Sequence, residues 1–320
     1  MTDPRVSCEG LSVFVYNAQD KLSWDSFVCS SKNGVFLFFR DYLEYHSHRF
    51  TDHSLMFYSG NKLVALLPAS LEGSTLYSHG GLTFGGVISA YDMKTPLMLQ
   101  VFHALSAHCH SQDITEIVYK PTPYIYHSIP AEEDLYALFI YNAYLTSRSV
   151  SSAIYLADAK GFDGNRRDNL RKAMRNNLIV RQSNDFDSFM HIEEEVLIER
   201  HGVKPVHSAE EIKRLAVKFP ENIKLFASFN KEVMLAGVVI YESRNVAHMQ
   251  YAANSKAGRN IGAQDIIEDY LIREYYRAKR YFDFGISTEK QGTLLNVGLI
   301  KRKENFGASA VVYDSYKITL

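Results

Sequence analysis

The chain has 320 residues, which is more than one small core needs and indicates two domains. It carries 35 Lys and Arg against 36 Asp and Glu, and the net charge of −1 disfavours a broad nucleic-acid-binding surface, because such surfaces are basic. The apolar fraction of 46% is that of an ordinary soluble globular protein, and no apolar run approaches the roughly 20 residues that span a bilayer.

The first residues, MTDPRVSCEG, lack the charged and apolar regions of a secretory signal. Cys8, Cys29 and Cys109 show no paired short spacing, so neither a disulfide scaffold nor a zinc site is expected. These observations predict a cytoplasmic protein that needs no metal. The 21 Tyr and 19 Phe residues serve mainly as core filling, or else line a cleft that stacks on bases or sugars.

In the first half, two apolar runs joined by Ser59-Gly60-Asn61-Lys62 predict a β-hairpin. TLYSHGGLTFGGVIS follows, with four glycines in the seven positions 80–86. A helix is predicted to begin near Pro96, a strand over TEIVYK to break at Pro121 and Pro123, and a further helix to cover DLYALFIYNAYL.

The second half repeats this rhythm, with a strand over SSAIYLAD and a basic helix over GNRRDNLRKAMRNN. A helix ended by Gly202 is followed by one that Ser208 and Glu211 open with a capping-box pattern. A meander of three strands runs over 223–253. The domain boundary is predicted near residue 146, which divides the chain into 1–145 and 146–320.

The most informative segment is 246–307, which predicts strand, glycine-bearing turn, long helix, strand and closing helix. The turn SKAGRNIGA contains Lys256, Gly258, Arg259 and Gly262, and the long helix covers QDIIEDYLIREYYRAKR. A basic glycine turn that leads into a helix is predicted to bind an anion, because free backbone N–H groups and the positive helix end point the same way. This order of elements suggests an acyl-coenzyme A site.

Three segments, HMQYAANSKAGRNIGAQD, YFDFGISTEKQG and LNVGLIKRKENFGA, together resemble GNAT-superfamily acyltransferases of the tandem, FemAB-like type. Arg259 and Gly262 fit the pyrophosphate loop of that superfamily, whereas Gln264 stands where Gly or Ala is expected. The resemblance implies an α/β fold of two tandem GNAT-like domains, each with a mixed central sheet flanked by helices. It places a sugar nucleotide on the N-terminal domain and acyl-CoA on the C-terminal one.

The segments SHGGLTFGGVIS and KPTPYIYHS resemble nucleotide-sugar N-acyltransferases of surface-polysaccharide pathways, such as those of lipopolysaccharide and O-antigen. These enzymes acylate a dTDP-linked 3-amino-3,6-dideoxyhexose. The resemblance implies direct transfer of an acetyl or short hydroxyacyl group, such as 3-hydroxybutyryl, from acyl-CoA to the sugar amine. Two alternatives stay open: an aminoacyl-tRNA-dependent FemAB-type peptidyltransferase, which the near-neutral charge disfavours, and a non-catalytic carbohydrate-binding protein.

Amide formation from a thioester needs an unprotonated amine, so a base is useful near neutral pH. His248 is one candidate, since histidine titrates in the right range, although a structural histidine with its N–H satisfied is as good an interpretation. Glu289 is a second candidate, or else a solvated turn residue. Asp283 is predicted to brace the loop backbone. Lys303 falls where many family members carry a tyrosine acid, and it either stabilises a thiolate or phosphate or lies in solvent.

The predicted acyl-CoA contacts lie on the strand, the turn and the closing helix, where main-chain N–H groups of the strand hold the thioester oxygen. By the period of two, Gln250 is predicted to share the face of His248, with Met249 and Tyr251 opposite. Asn296 is predicted to bind the pantetheine arm or to cap a helix. The full set is Gln250, Tyr251, Ala252, Lys256, Gly258, Arg259, Asn260, Gly262, Ala263 and Asn296.

The predicted contacts to the nucleotide sugar are scattered over three segments. Glycines around His79 allow close backbone approach to a ligand, or tight turning within a sheet. Arg167, Arg171 and Arg175 share one helix face and either bind a diphosphate or form a solvated cationic surface. Tyr124 and Tyr126 either stack on thymine or pack in the core. The full set is His79, Thr83, Phe84, Gly85, Lys120, Tyr124, Tyr126, Arg167 and Arg171.

Overall fold

The computed structural model describes residues 10–202 and 208–320, so Cys8 and the N-terminal segment considered above lie outside the described residues. The strands are Leu11–Val15 (β1), Thr51–Asp52 (β2), Leu55–Ser59 (β3), Lys62–Leu67 (β4), Ser70–Glu72 (β5), Thr75–Tyr77 (β6), Ile88–Ser89 (β7), Glu116–Tyr119 (β8), Tyr144–Tyr155 (β9), Ile179–Ser183 (β10), Ile223–Asn230 (β11), Val233–Glu242 (β12), Val246–Asn254 (β13), Tyr281–Ile286 (β14), Thr288–Glu289 (β15), Leu294–Leu295 (β16) and Ser309–Thr319 (β17). The α-helices are Lys21–Ser30 (α1), Arg40–Leu43 (α2), Thr95–Ser111 (α3), Glu133–Ile140 (α4), Gly164–Arg175 (α5), Phe186–His201 (α6), Ala209–Lys218 (α7), Lys256–Ile261 (α8), Ala263–Tyr270 (α9) and Val297–Glu304 (α10).

The chain divides into two compact units. The first contains the residues through Ser149 together with 289–294 and 312–320, and the second contains 150–288 and 295–311. The first break falls close to the predicted boundary at residue 146. The predicted second half, 146–320, is continuous in sequence, whereas in the structure two of its short segments belong to the first unit.

The first unit contains an antiparallel sheet in the order β1-β3-β4-β7. In a second group of strands, β2 pairs with β5 and β5 with β6, β6 runs parallel to β8, and β17 pairs antiparallel with β8. Helix α3 packs against β1 and α4, and its apolar side chains, including Phe102 and Leu105, join the core cluster of this unit. The predicted hairpin is confirmed, because β3 and β4 pair around Gly60 and Asn61, with Gly60 at φ +57°.

The second unit contains the antiparallel strands β10-β11-β12-β13, and β14 joins β13 in parallel and β9 antiparallel. The predicted three-strand meander is therefore confirmed. One face of this sheet carries α9 over Ala236, Val238 and Ile240, and the other carries α6, whose Phe189 ring lies against Gly237. The alternation along β12 thus sends neighbouring side chains into two different layers.

Helix ends in the second unit follow the sequence signals. Ser208 accepts a hydrogen bond from the Glu211 N–H, and the Glu211 carboxylate accepts one from the Ser208 N–H, so the predicted capping box is confirmed. Gly202 adopts the left-handed conformation at φ 64° and ends α6, as predicted. Such caps satisfy backbone groups that a helix end leaves without partners.

The predicted glycine turn before the long helix is wrong, because these residues form the short helix α8, with the Ser255 hydroxyl accepting from the Gly258 N–H. Gly262, at φ +75°, then joins α8 to α9. The glycine at 258 serves close packing, since a Cβ there would lie 2.5 Å from Asn254 Oδ1 and 2.7 Å from the Leu235 carbonyl oxygen. The helix predicted to reach Arg280 instead leaves α geometry after Tyr270 and ends in a π-helical turn over Leu271–Tyr275.

Replacing Gly262 by alanine is expected to lower the free energy of unfolding by about 3 kcal/mol, because a side chain at positive φ is strained and its Cβ would overlap the Asn169 carbonyl oxygen. Urea unfolding followed by circular dichroism measures the change. Gly164→Ala is the matched control, since nothing lies within 4 Å of a Cβ at Gly164, the first residue of α5. Equal stability of the two variants would contradict the expected strain.

No helix in the described part of the chain is both long enough and apolar enough to cross a membrane. Cys29 is an exposed free thiol, and Cys109 is a buried one whose pKa burial raises to about 12.

Candidate active site

Strands β13 and β14 diverge in the second unit. Their parallel pairing covers only Val246–His248 against Tyr281–Asp283, and Gly285 at φ +77° then turns β14 away. Beyond His248, β13 keeps β12 as its partner on one edge, and no described strand pairs with its other edge. Backbone groups along that edge are therefore available to a ligand, because a strand edge leaves N–H and C=O groups to be satisfied.

A β-bulge changes the side-chain alternation of β13 beside this opening. Ile240 pairs with Met249 and Val239 with Tyr251, so Gln250 is the additional residue. His248 and Tyr251 consequently lie on the same face of the sheet, opposite Tyr241 and Val239. The prediction that Tyr251 points away from the face of His248 is wrong, because the period of two holds only in a regular strand. The placement of Gln250 on the face of His248 stays a prediction.

His248 lies where the two strands part, and its Nδ1 is 2.8 Å from Asp283 Oδ2. The other Asp283 oxygen accepts hydrogen bonds from Ser151 Oγ at 2.5 Å and from the Gly285 N–H at 3.0 Å. A carboxylate only accepts hydrogen bonds, so Nδ1 carries the proton and Nε2 carries the lone pair. The fully buried Asp283 therefore orients a histidine base that is 16% exposed.

Lys303 lies on α10 and is buried, so its interpretation as a solvated helix residue is wrong. Its Nζ donates to the carbonyl oxygens of Gly285 and Ile286, both at 2.8 Å. Burial lowers the pKa of this ammonium group to about 8. Lys303 thus holds the segment where β14 turns away from β13.

Glu193 on α6 is a buried carboxylate that the sequence analysis did not select. Its side chain is 8% exposed, and burial raises its pKa to about 7. It follows Phe189 by one helical turn on the helix that packs against β12 and β13, and its charge acts on Tyr251. Burial, with contributions from Glu193 and Glu211, raises the pKa of the Tyr251 phenol to about 12. The spacing of four residues from Phe189 is the sequence signal that places Glu193 on the buried face.

The first turn of α9 packs against α5, so residues of α5 cover the position where a phosphate group was expected to bind. Gly262 lies against the Asn169 carbonyl group. The buried Asp265 carboxylate pairs with Arg166 and accepts a hydrogen bond from Asn169 Nδ2 at 3.3 Å. A protein carboxylate thus already lies at the positive end of this helix.

Gln264, the departure from the family pattern, has a structural partner on α9. Its Nε2 donates to the fully buried Glu268 at 2.9 Å, and Arg302 donates to both Glu268 oxygens at 2.9 and 2.7 Å. Glutamine at 264 therefore helps to satisfy a buried carboxylate.

The other predicted acyl-CoA residues occupy varied surroundings. Lys256 and Asn260 are exposed on α8, whereas Gly258 and Ala263 are buried, and Ala252 packs against the core of the unit. Arg259 donates to Glu199 at 3.2 Å and to the Asn254 carbonyl oxygen at 3.3 Å. Asn296 caps α10 by accepting from the Leu299 N–H, which is the capping alternative considered above. Their roles in binding CoA stay predictions.

Two of the cavities in the first unit each contain one of the predicted sugar contacts. A cavity of about 610 Å³ is lined by residues that include Arg49, Ser70, Tyr77 and Lys120. A second cavity, of about 270 Å³, is lined by residues that include Tyr16, Arg40, Asp52 and His79. Phe50 lines both cavities, and its ring lies over Gly80 and Gly81.

Burial lowers the pKa of both basic side chains predicted to contact the sugar, His79 and Lys120. Burial lowers the pKa of His79 to about 4, so this ring is neutral, and the residue has φ +59°. Burial lowers the pKa of Lys120 to about 8, and its Nζ donates to the Leu82 carbonyl oxygen. Arg49 and Tyr77, which the sequence analysis did not select, share the larger cavity with Lys120.

The remaining candidates of the first unit are divided between core and surface. Phe84 and Tyr126 pack with ring centroids 4.6 Å apart, and the Tyr126 and Tyr313 hydroxyls are 3.1 Å apart, which supports core packing for Tyr126. Gly85 lies against the Ser78 carbonyl group. Thr83 and Tyr124 are exposed. Glu289 is exposed and belongs to the first unit.

Helix α5 presents the predicted row of arginines, and Arg167, Arg171 and Arg175 are all exposed on it. Arg171 pairs with Asp168 at 2.6 Å. Together with Arg166 and Lys172 these residues make the helix strongly basic. Within residues 10–202 and 208–320, no group of three or more His, Cys, Asp or Glu side chains is placed to hold a metal ion.

The two units, with mixed sheets flanked by helices, define a tandem GNAT-like α/β fold, and the predicted fold class is confirmed. The chain is similar to FemX, with 11% identity, a TM-score of 0.66 and 97% of each chain covered. It is also similar to L-PGS from Bacillus licheniformis, with 13% identity, a TM-score of 0.57 and 88% of this chain and 91% of that chain covered. A tandem GNAT protein from the clavulanic acid biosynthesis pathway matches with 11% identity, a TM-score of 0.50 and coverage of 97% and 98%. No protein-family model and no curated protein sequence matches the chain.

Proposed function

We propose that this chain is an acyltransferase that joins an activated acyl group to a primary amine at the opening between β13 and β14. The observation that carries the proposal is the position of His248, held by the buried Asp283 where the two strands part. The similarity of fold to FemX and to a tandem GNAT protein supports the same reaction class.

The reaction follows from the atoms at this site. His248 Nε2 takes the proton that the amine loses, and Asp283 stabilises the resulting imidazolium. The amine nitrogen then forms a C–N bond with the acyl carbon while the bond from that carbon to the leaving group breaks. N–H groups on the open edge of β13 stabilise the negative charge that develops on the acyl oxygen. The leaving group departs with the electron pair as a thiolate or an alkoxide.

The acceptor we propose is a nucleotide-linked amino sugar, of the dTDP-3-amino-3,6-dideoxyhexose kind used in surface-polysaccharide biosynthesis in the cytoplasm. The cavity of about 610 Å³ in the first unit supports this class. Arg49 and Lys120 offer cations for a diphosphate, and Tyr77 offers an aromatic ring for a base or sugar.

The donor we propose is acyl-CoA, which Arg259 on α8 and the exposed arginines of α5 would bind through its phosphates. A second candidate is aminoacyl-tRNA. One observation favours it: α5 and the Asp265 carboxylate cover the end of α9 where a CoA pyrophosphate was predicted, while the outer surface of α5 is basic. Basic helices are suited to a nucleic-acid backbone.

An assay with both donors separates these candidates. Thiol release from acyl-CoA in the presence of a dTDP-amino sugar supports our proposal, whereas product that requires charged tRNA supports the second candidate. Turnover with neither donor, together with no CoA binding by calorimetry, would favour the non-catalytic carbohydrate-binding alternative.

Arg259→Glu is expected to raise the apparent KM for acyl-CoA by about tenfold or more, because it replaces a charged phosphate contact by a repulsive one. Steady-state kinetics measures the change. Arg181→Glu is the control, since Arg181 is a half-exposed arginine of the same unit that pairs with Glu232 on the surface. An unchanged KM in Arg259→Glu would refute the placement of the phosphates on α8.

A further inference from the structure

We propose that Glu193 and Tyr251 form a binding site for the ammonium group of the acceptor, on the face of the second unit's sheet that α6 covers. This inference rests on the proposed function and adds the form in which the acceptor binds, with its amine protonated. The mechanism above does not use Glu193.

Glu193 is buried without a partner among the described residues. Glu193 is 8% exposed, and burial is the one cause that acts on its pKa, with no hydrogen bond or ion pair from a described residue. Burying a carboxylate costs free energy unless a cation or several donors compensate it. Acidic groups elsewhere on α6 and α7 have partners: Glu211 accepts from the Ser208 N–H, and Asp187 pairs with Lys213 at 2.5 Å. A ligand that carries a cation would supply the compensation that the described residues do not give to Glu193.

Glu193 lies on the helix that packs over the His248 side of β13. The bulge at Gln250 brings Tyr251 onto the face of His248, opposite Val239 and Tyr241, which are two residues apart on β12. Two residues along a strand correspond to about 7 Å. Phe189, one helical turn before Glu193, lies against Gly237 on the same face. The carboxylate and the histidine base therefore share one face of β13.

Glu193 and Tyr251 together suit a cationic ligand. Burial raises the pKa of Tyr251 to about 12, so its phenol stays neutral and its ring offers a π face to a cation. With the pKa of Glu193 near 7, a bound ammonium ion favours the ionised carboxylate. The acceptor binds as a cation and then gives its proton to His248. A neutral hydroxyl acceptor lacks this charge, so the site selects amide formation over ester formation.

The binding step is tested without acyl transfer. Ethylammonium chloride is expected to raise the thermal unfolding temperature of the full chain at pH 8 above the effect of sodium chloride at equal ionic strength. Glu193→Gln is expected to abolish this difference. Glu195→Gln, a change of an exposed residue on the same helix, is expected to preserve it. The same ethylammonium effect in wild type and Glu193→Gln, or no effect in wild type, would overturn the proposal.

The transfer assay separates this inference from the proposed function. In an active enzyme, Glu193→Gln is expected to raise the KM for the amine at least tenfold, with partial recovery in Glu193→Asp, whereas Glu195→Gln leaves this KM unchanged. An unchanged KM would overturn the ammonium site while leaving the transferase assignment intact. Ethylammonium stabilisation that depends on Glu193, in a chain that transfers no acyl group, would support the site and refute the proposed reaction.

Discussion

His248→Gln is expected to lower kcat for acyl transfer by about 10²- to 10⁴-fold, the usual contribution of a positioned general base. Glutamine keeps a donor that can reach Asp283 but offers no basic nitrogen to the amine. Single-turnover measurement with a saturating donor isolates the chemical step from binding.

Two control variants test whether the loss of activity is specific to His248. His191→Gln alters a histidine whose side chain is 73% exposed on α6, and it should retain full activity. Ser151→Ala removes one donor to Asp283 and should cost less than the loss of His248. Full activity of His248→Gln, with an unchanged circular dichroism spectrum, would remove His248 from the mechanism.

Glu193→Gln is expected to stabilise the folded chain by about 3 kcal/mol at pH 8.5 and to change stability little at pH 4. The pKa of Glu193 is about 7 in the folded protein against a usual value of 4.5, and each unit of difference corresponds to about 1.4 kcal/mol. A carboxyl group with a raised folded-state pKa destabilises the fold as pH rises above 4.5, and the penalty is complete above about pH 7. Glutamine has no charge to bury, so it avoids this penalty.

Urea unfolding of wild type and Glu193→Gln at several pH values measures this difference. The difference in unfolding free energy should grow between pH 4.5 and 7 and then remain constant. Glu195→Gln, at an exposed position of the same helix, should show no such growth. A pH-independent difference for Glu193→Gln would mean that this carboxylate titrates normally in the folded state. A gain in stability coupled to a loss of amine binding would mark Glu193 as a functional residue.

Local patterns in the sequence predict much of this fold. The hairpin at Gly60, the capping box of Ser208 and Glu211 and the end of α6 at Gly202 depend on residues only a few positions apart. Alternation of apolar residues predicts the meander of β11, β12 and β13. These signals are local, so a single sequence contains them.

Features that depend on tertiary packing could not be predicted from the sequence. The glycines at 258 and 262 suggested an open turn, but Gly258 is needed because Asn254 and the Leu235 carbonyl group lie close to it. The bulge at Gln250 reverses the expected orientation of Tyr251 and follows from strand pairing, not from the residues of β13 alone. A glycine or a bulge has several structural uses, and only the neighbours decide between them.

The sequence predicts only part of the candidate site, because the contacts within the site also depend on tertiary packing. The sequence predicts both His248 and Asp283 as site residues, but their contact depends on the parallel pairing of β13 with β14, which brings together residues 35 positions apart. The sequence predicts Lys303 as a site residue. Its burial is not predicted, because it depends on the contact of Lys303 with the Gly285 carbonyl oxygen, where β14 turns. Glu193 and Ser151 carry no motif, and their importance appears only when burial and hydrogen bonds are known.

The most direct test of an acyl-transfer site between β13 and β14 is mass spectrometry of the products formed by wild type and His248→Gln. Each protein is incubated with a dTDP-linked amino sugar and either acetyl-CoA or charged tRNA. We expect an amide product from wild type with one of the two donors, and at most about one hundredth of it from His248→Gln in the same time. Equal amounts of amide from both proteins, or no amide from wild type with either donor, would contradict the proposal.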